Sequence, residues 1–395
     1  MDRLVVAVVI GTRPEAIKMA PVIYALKKRE SEFRCVVIST AQHRHMLDQV
    51  LNVFNIQVDV DLDLMRPNQS LNGLTARVFE AIDSTLSQIP LDFLLVQGDT
   101  TTAFAAALAA FHRNIPAGHV EAGLRSHDLG NPFPEEANRR LASVVASVHF
   151  APTALARDNL VDEGIPREKI ALTGNTIVDA VGILLDMPAA GEFPLVNIPL
   201  NGDRLLLVTS HRRESWGTEL ENICDALLEL AHSFPDVRVV YPVHLNPNVR
   251  QTVEAMLGGR DRIHLVPPLD YFAFAQLMRR SYLILTDSGG VQEEAPAFRK
   301  PVLVLRKVTE RPEASLMGLA RIVGTSKEKI VREASRLLSD PAAYRAMCDG
   351  DNPYGDGHAA ERIVEAISRC FAGVLPLLDP SEEFQMPLSS ELSAA

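Results

Sequence analysis

An α/β architecture, with doubly wound parallel sheets in two domains, is predicted by three features of the 395-residue chain. Short β-branched runs alternate with segments that carry apolar residues at helical spacing. The runs fall into two series of similar size. Between the series lies PAAGEFPLVNIPLNGDR, residues 188–204, whose Pro, Gly and Asn content marks a linker. Alternating strands and helices cover a parallel sheet on both faces. Such sheets bind ligands beyond the carboxyl ends of their strands, so function is sought in the residues after each strand.

The first series places strands at 4–10, 35–39, 93–96, 117–120 and 148–151. The second places them at 205–209, 237–241, 263–266, 283–286 and 301–305. Segments 101–112 and 218–232 show the helical spacing most clearly. Residues 375–395 are polar, with Pro, Ser and Glu, and read as a disordered tail.

Composition narrows the function. Hydrophobic residues make up 47% and charged residues 23%, enough apolar material for two cores. A net charge of -11 argues against nucleic acid held on a general basic surface. Any anion would need local Arg, Lys, His and helix N-termini. Cys35, Cys224, Cys348 and Cys370 have neither disulfide-framework nor metal spacing, which fits a reducing cytoplasm. The apolar run at 4–10 is short for a signal peptide. No segment reaches the roughly 18 apolar residues of a membrane helix. A soluble, cytoplasmic protein without membrane partners is expected.

After the first strand comes GTRPEAIK. Gly11 permits a tight turn, Thr12 can cap, Pro14 suits a first helical turn, and Arg13 stands where anions are favoured. An ordinary cap with a solvated arginine reads equally well. Neither GxGxxG nor a Walker lysine pattern is present, which excludes ordinary dinucleotide and P-loop motifs. QGDTTT places Asp99 where a strand meets a helix, as a site residue or simply its N-cap. VEAGLRSHDLGNPFPEEANRR sets Glu121 at a strand end and Glu135 and Glu136 at a helix start.

In the second half, SHRRES packs His211, Arg212 and Arg213 together, a phosphate locus or a solvated basic turn. DSGGVQEEA offers the amides of Ser288, Gly289 and Gly290 to an anion, with Glu294 one turn on to accept from vicinal hydroxyls. The glycines alone would equally suit a tight turn. TERPEA supplies Arg311. His43 and His45 read as ordinary polar residues. Asp59, Asp61 and Asp63 read as the acidic face of a half-exposed strand rather than a metal site. Anion-binding strand ends in both halves, with carboxylates in the first, suggest a sugar nucleotide in an interdomain cleft. Transfer, elimination and epimerisation all remain open at this point.

The motifs GTRPEAIKMAP, TAQHRHMLDQVL, GDTTT, HVEAGLRS, NPFPEEANRR, TGNTIVDA, SHRRES, YPVHLNPNVR, TDSGGVQEEAP, TERPEA and NPYGDG together resemble the non-hydrolysing UDP-N-acetylglucosamine 2-epimerases. They run in family order from Gly11 to Gly357. The resemblance implies a GT-B-like fold of two Rossmann-like domains with the active site in the cleft between them. Residues 1–187 would form the N-terminal domain, joined by a returning C-terminal helix at about 358–374, and 188–357 the UDP-binding domain. It implies interconversion of UDP-GlcNAc and UDP-ManNAc through elimination of UDP to a 2-acetamidoglucal and re-addition, with no cofactor, metal or nicotinamide.

By the same resemblance, Asp99, Glu121, Glu135 and His211 stand at catalytic positions. Arg13, Lys18, Phe274, Ser288, Gly289, Gly290, Glu294 and Arg311 stand at substrate-binding ones, with Phe274 at the uracil-stacking position. Gln42, Arg66, Glu136, Arg212 and His244 match a second site where UDP-GlcNAc activates bacterial members, although His45 replaces a glutamine there. A homodimer is the common assembly. A 2-epimerase of diacetamido-uronic acid UDP-sugars is a neighbouring reading, which GTRPEAIK rather than GARPQFIK disfavours, as it also disfavours hydrolytic epimerases. A GT-B glycosyltransferase and a non-catalytic sugar-nucleotide sensor are the readings from other classes.

Overall fold

The computed structural model describes residues 3–41, 44–66, 69–187, 202–212, 215–309 and 311–385. Gln42, His43, Arg213, most of the linker (188–201) and the end of the tail (386–395) lie outside the described residues, as does the side chain of His45. The chain divides into two compact units, one within Met1–Ile183 and continuing from Tyr354, the other within Leu184–Pro353. Each is an α/β unit around one parallel sheet, the architecture that the alternation of strands and helices predicts.

The first unit holds β1 (Leu4–Ile10), β2 (Phe33–Ser39), β3 (Val60–Asp61), β4 (Phe93–Gln97), β5 (Ala117–Val120), β6 (Val148–Ala151) and β7 (Ile170–Leu172). Their order is β3-β2-β1-β4-β5-β6-β7, all parallel. The second holds β8 (Arg204–Thr209), β9 (Val237–Pro242), β10 (Ile263–Val266), β11 (Leu283–Thr286), β12 (Val302–Val304) and β13 (Ala320–Ile322). Their order is β10-β9-β8-β11-β12-β13, again parallel. In each sheet the order reverses once, between β1 and β4 and between β8 and β11. Those two gaps are the topological switch points where doubly wound sheets receive ligands.

Central strands are buried on both faces, which is why they read as continuous apolar runs. Val6, Ala7, Val8 and Ile10 are inaccessible, as are Leu94, Leu95, Leu206 and Leu207. The helix Thr101–His112 packs closely through Ala105, Ala106, Ala107, Ala109 and Ala110, which are buried. In the second unit, Tyr241, Leu227, Leu230 and Val253 fill the space between sheet and helices.

Two strands escape a reading of the sequence. β7 and β13 have only three residues each, too few for a period to show. The alternating run at 59–63 keeps its acidic face, with Asp59, Asp61 and Asp63 exposed and Val60 and Leu62 packed against the core, but its strand is shorter than the pattern suggests. Only Val60–Asp61 is extended, Asp59 accepts the Val37 amide at 2.7 Å, and Asp63 has φ +45°.

The predicted disordered tail is also different as far as Gln385. Leu377, Leu378 and Phe384 are buried, Phe384 against Ala151, Leu160 and Leu172. Glu383 meets Arg167 at 2.7 Å. A few well-spaced apolar residues suffice to dock a polar segment onto an existing core.

Tyr354 begins the part of the chain that returns to the first unit, where its carbonyl accepts the Asn175 amide at 2.6 Å. Asp179 caps the helix Ala359–Phe371 by accepting the amides of Ala360 and Ala359 at 2.8 and 3.3 Å. Among the described residues, no helix is long and apolar enough to cross a membrane.

Candidate active site

At the first switch point, β1 ends in Gly11–Thr12 and the helix Arg13–Lys28 begins at once. Glu15, 1% exposed, turns back so that Oε2 accepts the amides of Gly11 and Thr12 at 2.8 and 2.6 Å. Its other oxygen accepts from Thr100 Oγ1 at 2.5 Å. Burial pushes the Glu15 carboxyl up, against the pull of these donors. Glu15 therefore ties the turn carrying Arg13 to the turn carrying Asp99. A Glu at the third helical position is a cap signal in the sequence, whereas its bond to Thr100 is set by the fold alone.

Asp99 does not cap the following helix. Thr100 does so, accepting the Ala103 amide at 3.0 Å. The Asp99 side chain instead bonds to Arg139, and its carbonyl accepts from Asn138 Nδ2 at 3.0 Å. Of the two readings open for Asp99, the plain N-cap is thus removed.

Glu121 follows β5 with φ +62°, a conformation that costs a non-glycine residue on the order of 1–3 kcal/mol. Its Oε2 accepts from Lys18 Nζ at 2.5 Å and from Gln97 Nε2 at 2.9 Å. Two donors on one oxygen suit a carboxylate. The Lys18 and Glu121 side chains are 10% and 9% exposed, so the ion pair is nearly dry.

Glu135 and Glu136 open the helix Glu135–Val145 and diverge. Glu135 is half-buried. Glu136 is fully buried, accepts the Ser126 amide at 3.0 Å and lies 3.3 Å from Arg139. Arg139 thus links Glu136 to Asp99. Its spacing from Glu136 is visible in the sequence, whereas its pairing with Asp99, forty positions away, is purely tertiary.

His119, inside β5, is also buried, and its Nε2 donates to the Gly98 carbonyl at 2.7 Å. Burial lowers its pKa from 6.5 to about 3, opposed by that hydrogen bond and aided by the charges of Arg125 and Arg139. The unfolded chain therefore takes up a proton below about pH 6.5 that the folded chain refuses. Stability present above that pH is lost as pH falls toward 3. For this residue the loss from pH 7 to pH 5 is about 2 kcal/mol. His119→Asn is expected to flatten the acid limb by that amount, measured as urea midpoints at the two pH values.

At the second switch point, β8 runs into Ser210–His211–Arg212 and β11 into Asp287–Ser288. His211 is 41% exposed, and its ring stacks on that of His244, with centroids 5.6 Å apart and planes at 20°. Asp287 lies fully buried beneath this turn. Burial lowers the pKa of His244, as does the neighbouring His211, while Asp287 opposes them.

Ser288 precedes the short helix Gly289–Glu294. A Cβ at Gly289 would come within 2.7 Å of Arg311 Nη1, so the missing side chain admits that guanidinium. Arg311 Nε in turn donates to Glu293 at 2.5 Å. Glu294 is largely buried one turn into the helix, and Gly290 would carry its Cβ 3.6 Å from the Glu294 carboxylate. Phe274 is half-buried on the helix Tyr271–Arg280, capped by Asp270.

In the first unit the structure brings together Lys18 with Glu121, and Asp99 with Glu136 through Arg139. In the second it brings together His211, Arg212 and His244 around Asp287, and Gly289 with Arg311. Arg66 is exposed, and its backbone amide donates to Gln69 Oε1 at 3.3 Å.

The family model described as UDP-N-acetylglucosamine 2-epimerase matches residues 25–368. A UDP-N-acetylglucosamine 2-epimerase of Yersinia pestis is 51% identical over 368 residues, covering 92% of this chain and 98% of its own. The crystal structure of a putative UDP-N-acetylglucosamine 2-epimerase from Listeria monocytogenes superposes with TM-score 0.90 at 45% identity, covering 98% of this chain and 100% of that one. The Neisseria meningitidis UDP-GlcNAc 2-epimerase, solved bound to UDP-GlcNAc, gives TM-score 0.83 at 45% identity, with coverage of 93% and 100%.

Proposed function

The chain belongs to the UDP-N-acetylglucosamine 2-epimerase family, and on that premise we propose that it interconverts UDP-GlcNAc and UDP-ManNAc by eliminating and re-adding UDP. The observation that supports this most is the concentration of charged and polar site residues at the switch point of each sheet. Carboxylates gather at one and a His, Arg and glycine-amide group at the other.

In this reading Ser288, Gly289, Gly290, Arg311, His211 and Arg13 hold the diphosphate. Glu294 accepts from the ribose hydroxyls and Phe274 stacks on uracil. Inverting C2 requires loss of a poorly acidic proton. As the C1–O bond to UDP breaks, a base takes the C2 proton and its electron pair becomes the C1=C2 bond of a 2-acetamidoglucal. UDP leaves with the C1–O electrons. Re-addition rebuilds that bond and delivers a proton to the opposite face of C2. Asp99, Glu121 and Glu135 are the carboxyl groups for these proton transfers. Cationic and amide donors stabilise the departing diphosphate.

The experiment is proton NMR of UDP-GlcNAc with the enzyme in D2O. Loss of the C2 proton signal together with ManNAc anomeric peaks is the expected result. Free UDP appearing only when an acceptor is added would instead indicate glycosyl transfer. Activation by a second UDP-GlcNAc, cytoplasmic location and a homodimer belong to the same reading. Arg66, Arg212, His244 and Gln42 are the proposed ligands of that second molecule. Glu136, being buried, would enter through Arg139 rather than by direct contact.

A further inference from the structure

We propose that Asp287 is a positioning residue that holds the His211 ring in the Nδ1–H tautomer, so that Nε2 is the nitrogen offered to the substrate. The inference rests on the proposed role of His211 in the epimerisation. Asp287 is fully buried at the end of β11, directly across the switch point from His211. Its Oδ2 is already occupied. It accepts the amides of His211 and Arg212 at 2.8 and 2.9 Å and the hydroxyls of Ser210 and Ser215 at 3.0 and 3.4 Å.

Its Oδ1 has no hydrogen bond from any of these groups and lies 3.2 Å from His211 Nδ1. A buried carboxylate oxygen in that position is stabilised by a proton donor and destabilised by a lone pair. The imidazole nitrogen facing it therefore carries the hydrogen, in both the neutral and the protonated ring. In the neutral ring this leaves Nε2 with the lone pair.

Burial alone pushes the Asp287 carboxyl up, but the adjacent His211 ring and the amides of Arg212 and His211 outweigh it and hold the group below the usual carboxylate range. One side chain thus does two things. It gathers Ser210, His211, Arg212 and Ser215 around one oxygen and orients a single ring with the other. The Tyr241 hydroxyl supports the same turn from below, donating to the Ser210 carbonyl at 3.0 Å.

Asp287→Asn separates the two functions. An amide oxygen at the Oδ2 position still accepts from the turn, while the amide NH2 now faces Nδ1. The neutral ring then prefers Nε2–H, the wrong tautomer. A comparable Asp→Asn change beside a catalytic histidine elsewhere costs about 10^4-fold in kcat. Here a kcat loss on the order of 10^2–10^4 with KM changed less than about threefold is expected.

Nitrogen NMR of the histidine-labelled protein, with His211 assigned by its absence in His211→Ala, reads the tautomer without any activity. The wild type should show Nδ1–H and Asp287→Asn should show Nε2–H. In the His211→Ala background, Asp287→Asn should cost no further activity. An unchanged tautomer, or an equal additional loss in that background, would overturn the inference and leave Asp287 a purely structural residue. If wild-type protein fails to exchange the C2 proton, the epimerase reading fails first, while the tautomer measurement still decides the Asp287 contact.

Discussion

Glu121→Gln is expected to reduce C2 proton exchange and epimerisation by 10^2–10^4-fold, the usual size of a general acid–base contribution. The substitution preserves shape and keeps a side-chain oxygen for Lys18 and Gln97, but it removes the group that can exchange a proton. It also removes the negative charge that faces the nearly dry Lys18 ammonium. Breaking one side of such a pair costs about 3–5 kcal/mol, so the single variant should melt early as well as lose activity. The two effects separate in Lys18→Met/Glu121→Gln. Stability should largely return in the double variant, because no buried charge is left opposite a neutral amide, and exchange should not. A double variant that recovers exchange would show that Glu121 serves the fold alone. Solvent-deuterium incorporation and a urea midpoint on the three proteins read both quantities.

Gly123→Ala, two residues along the same loop, is expected to cost more than about 4 kcal/mol of stability. Gly123 has φ +92°, and a Cβ there would lie 2.0 Å from the Ala156 carbonyl oxygen and 3.0 Å from Leu160 Cγ. The nearest atom is helix backbone, so no rotamer change relieves the overlap. The loop cannot simply retreat, because the Gly123 carbonyl accepts from Asn159 Nδ2 at 2.9 Å on the same helix. The matching control is Gly164→Ala. There φ is +87° with nothing within 4 Å of the added carbon, so only the backbone preference is charged, roughly 1–3 kcal/mol. Urea unfolding of both variants tests the difference. Equal losses at the two positions would mean that the loop yields and that the close approach to Ala156 carries no energy.

The loop between β5 and the helix Glu135–Val145 shows where sequence reasoning reached and where it stopped. Glu121, Glu135 and Glu136 were identifiable as carboxylates at a strand end and a helix start. The sequence could not say that consecutive Glu135 and Glu136 differ so much in burial, since that depends on which helix face meets the rest of the unit. Nor could it say that Arg139 joins Asp99 to Glu136, or that Thr100 rather than Asp99 caps its helix. Asp287 is inconspicuous in the sequence for a related reason. In DSGGVQEEA the serine and glycines announce an anion cradle, whereas the aspartate's value comes from a turn 75–77 residues away.

By itself, the sequence determined the fold class and ten strands, and it pointed to the strand ends as the place to look for a site. These are local properties, since burial on both faces writes an apolar run and a strand-to-helix turn needs Gly, Pro and capping residues. Tertiary structure alone decided β7 and β13, the docking of residues 375–385 through Phe384, and the long-range partners of charged side chains such as Arg139 with Asp99. β7 and β13 are too short for a readable period, and a few apolar anchors vanish in a polar average. Outside a single helix, a salt bridge or buried hydrogen bond depends on distance in space, to which separation along the chain gives no guide.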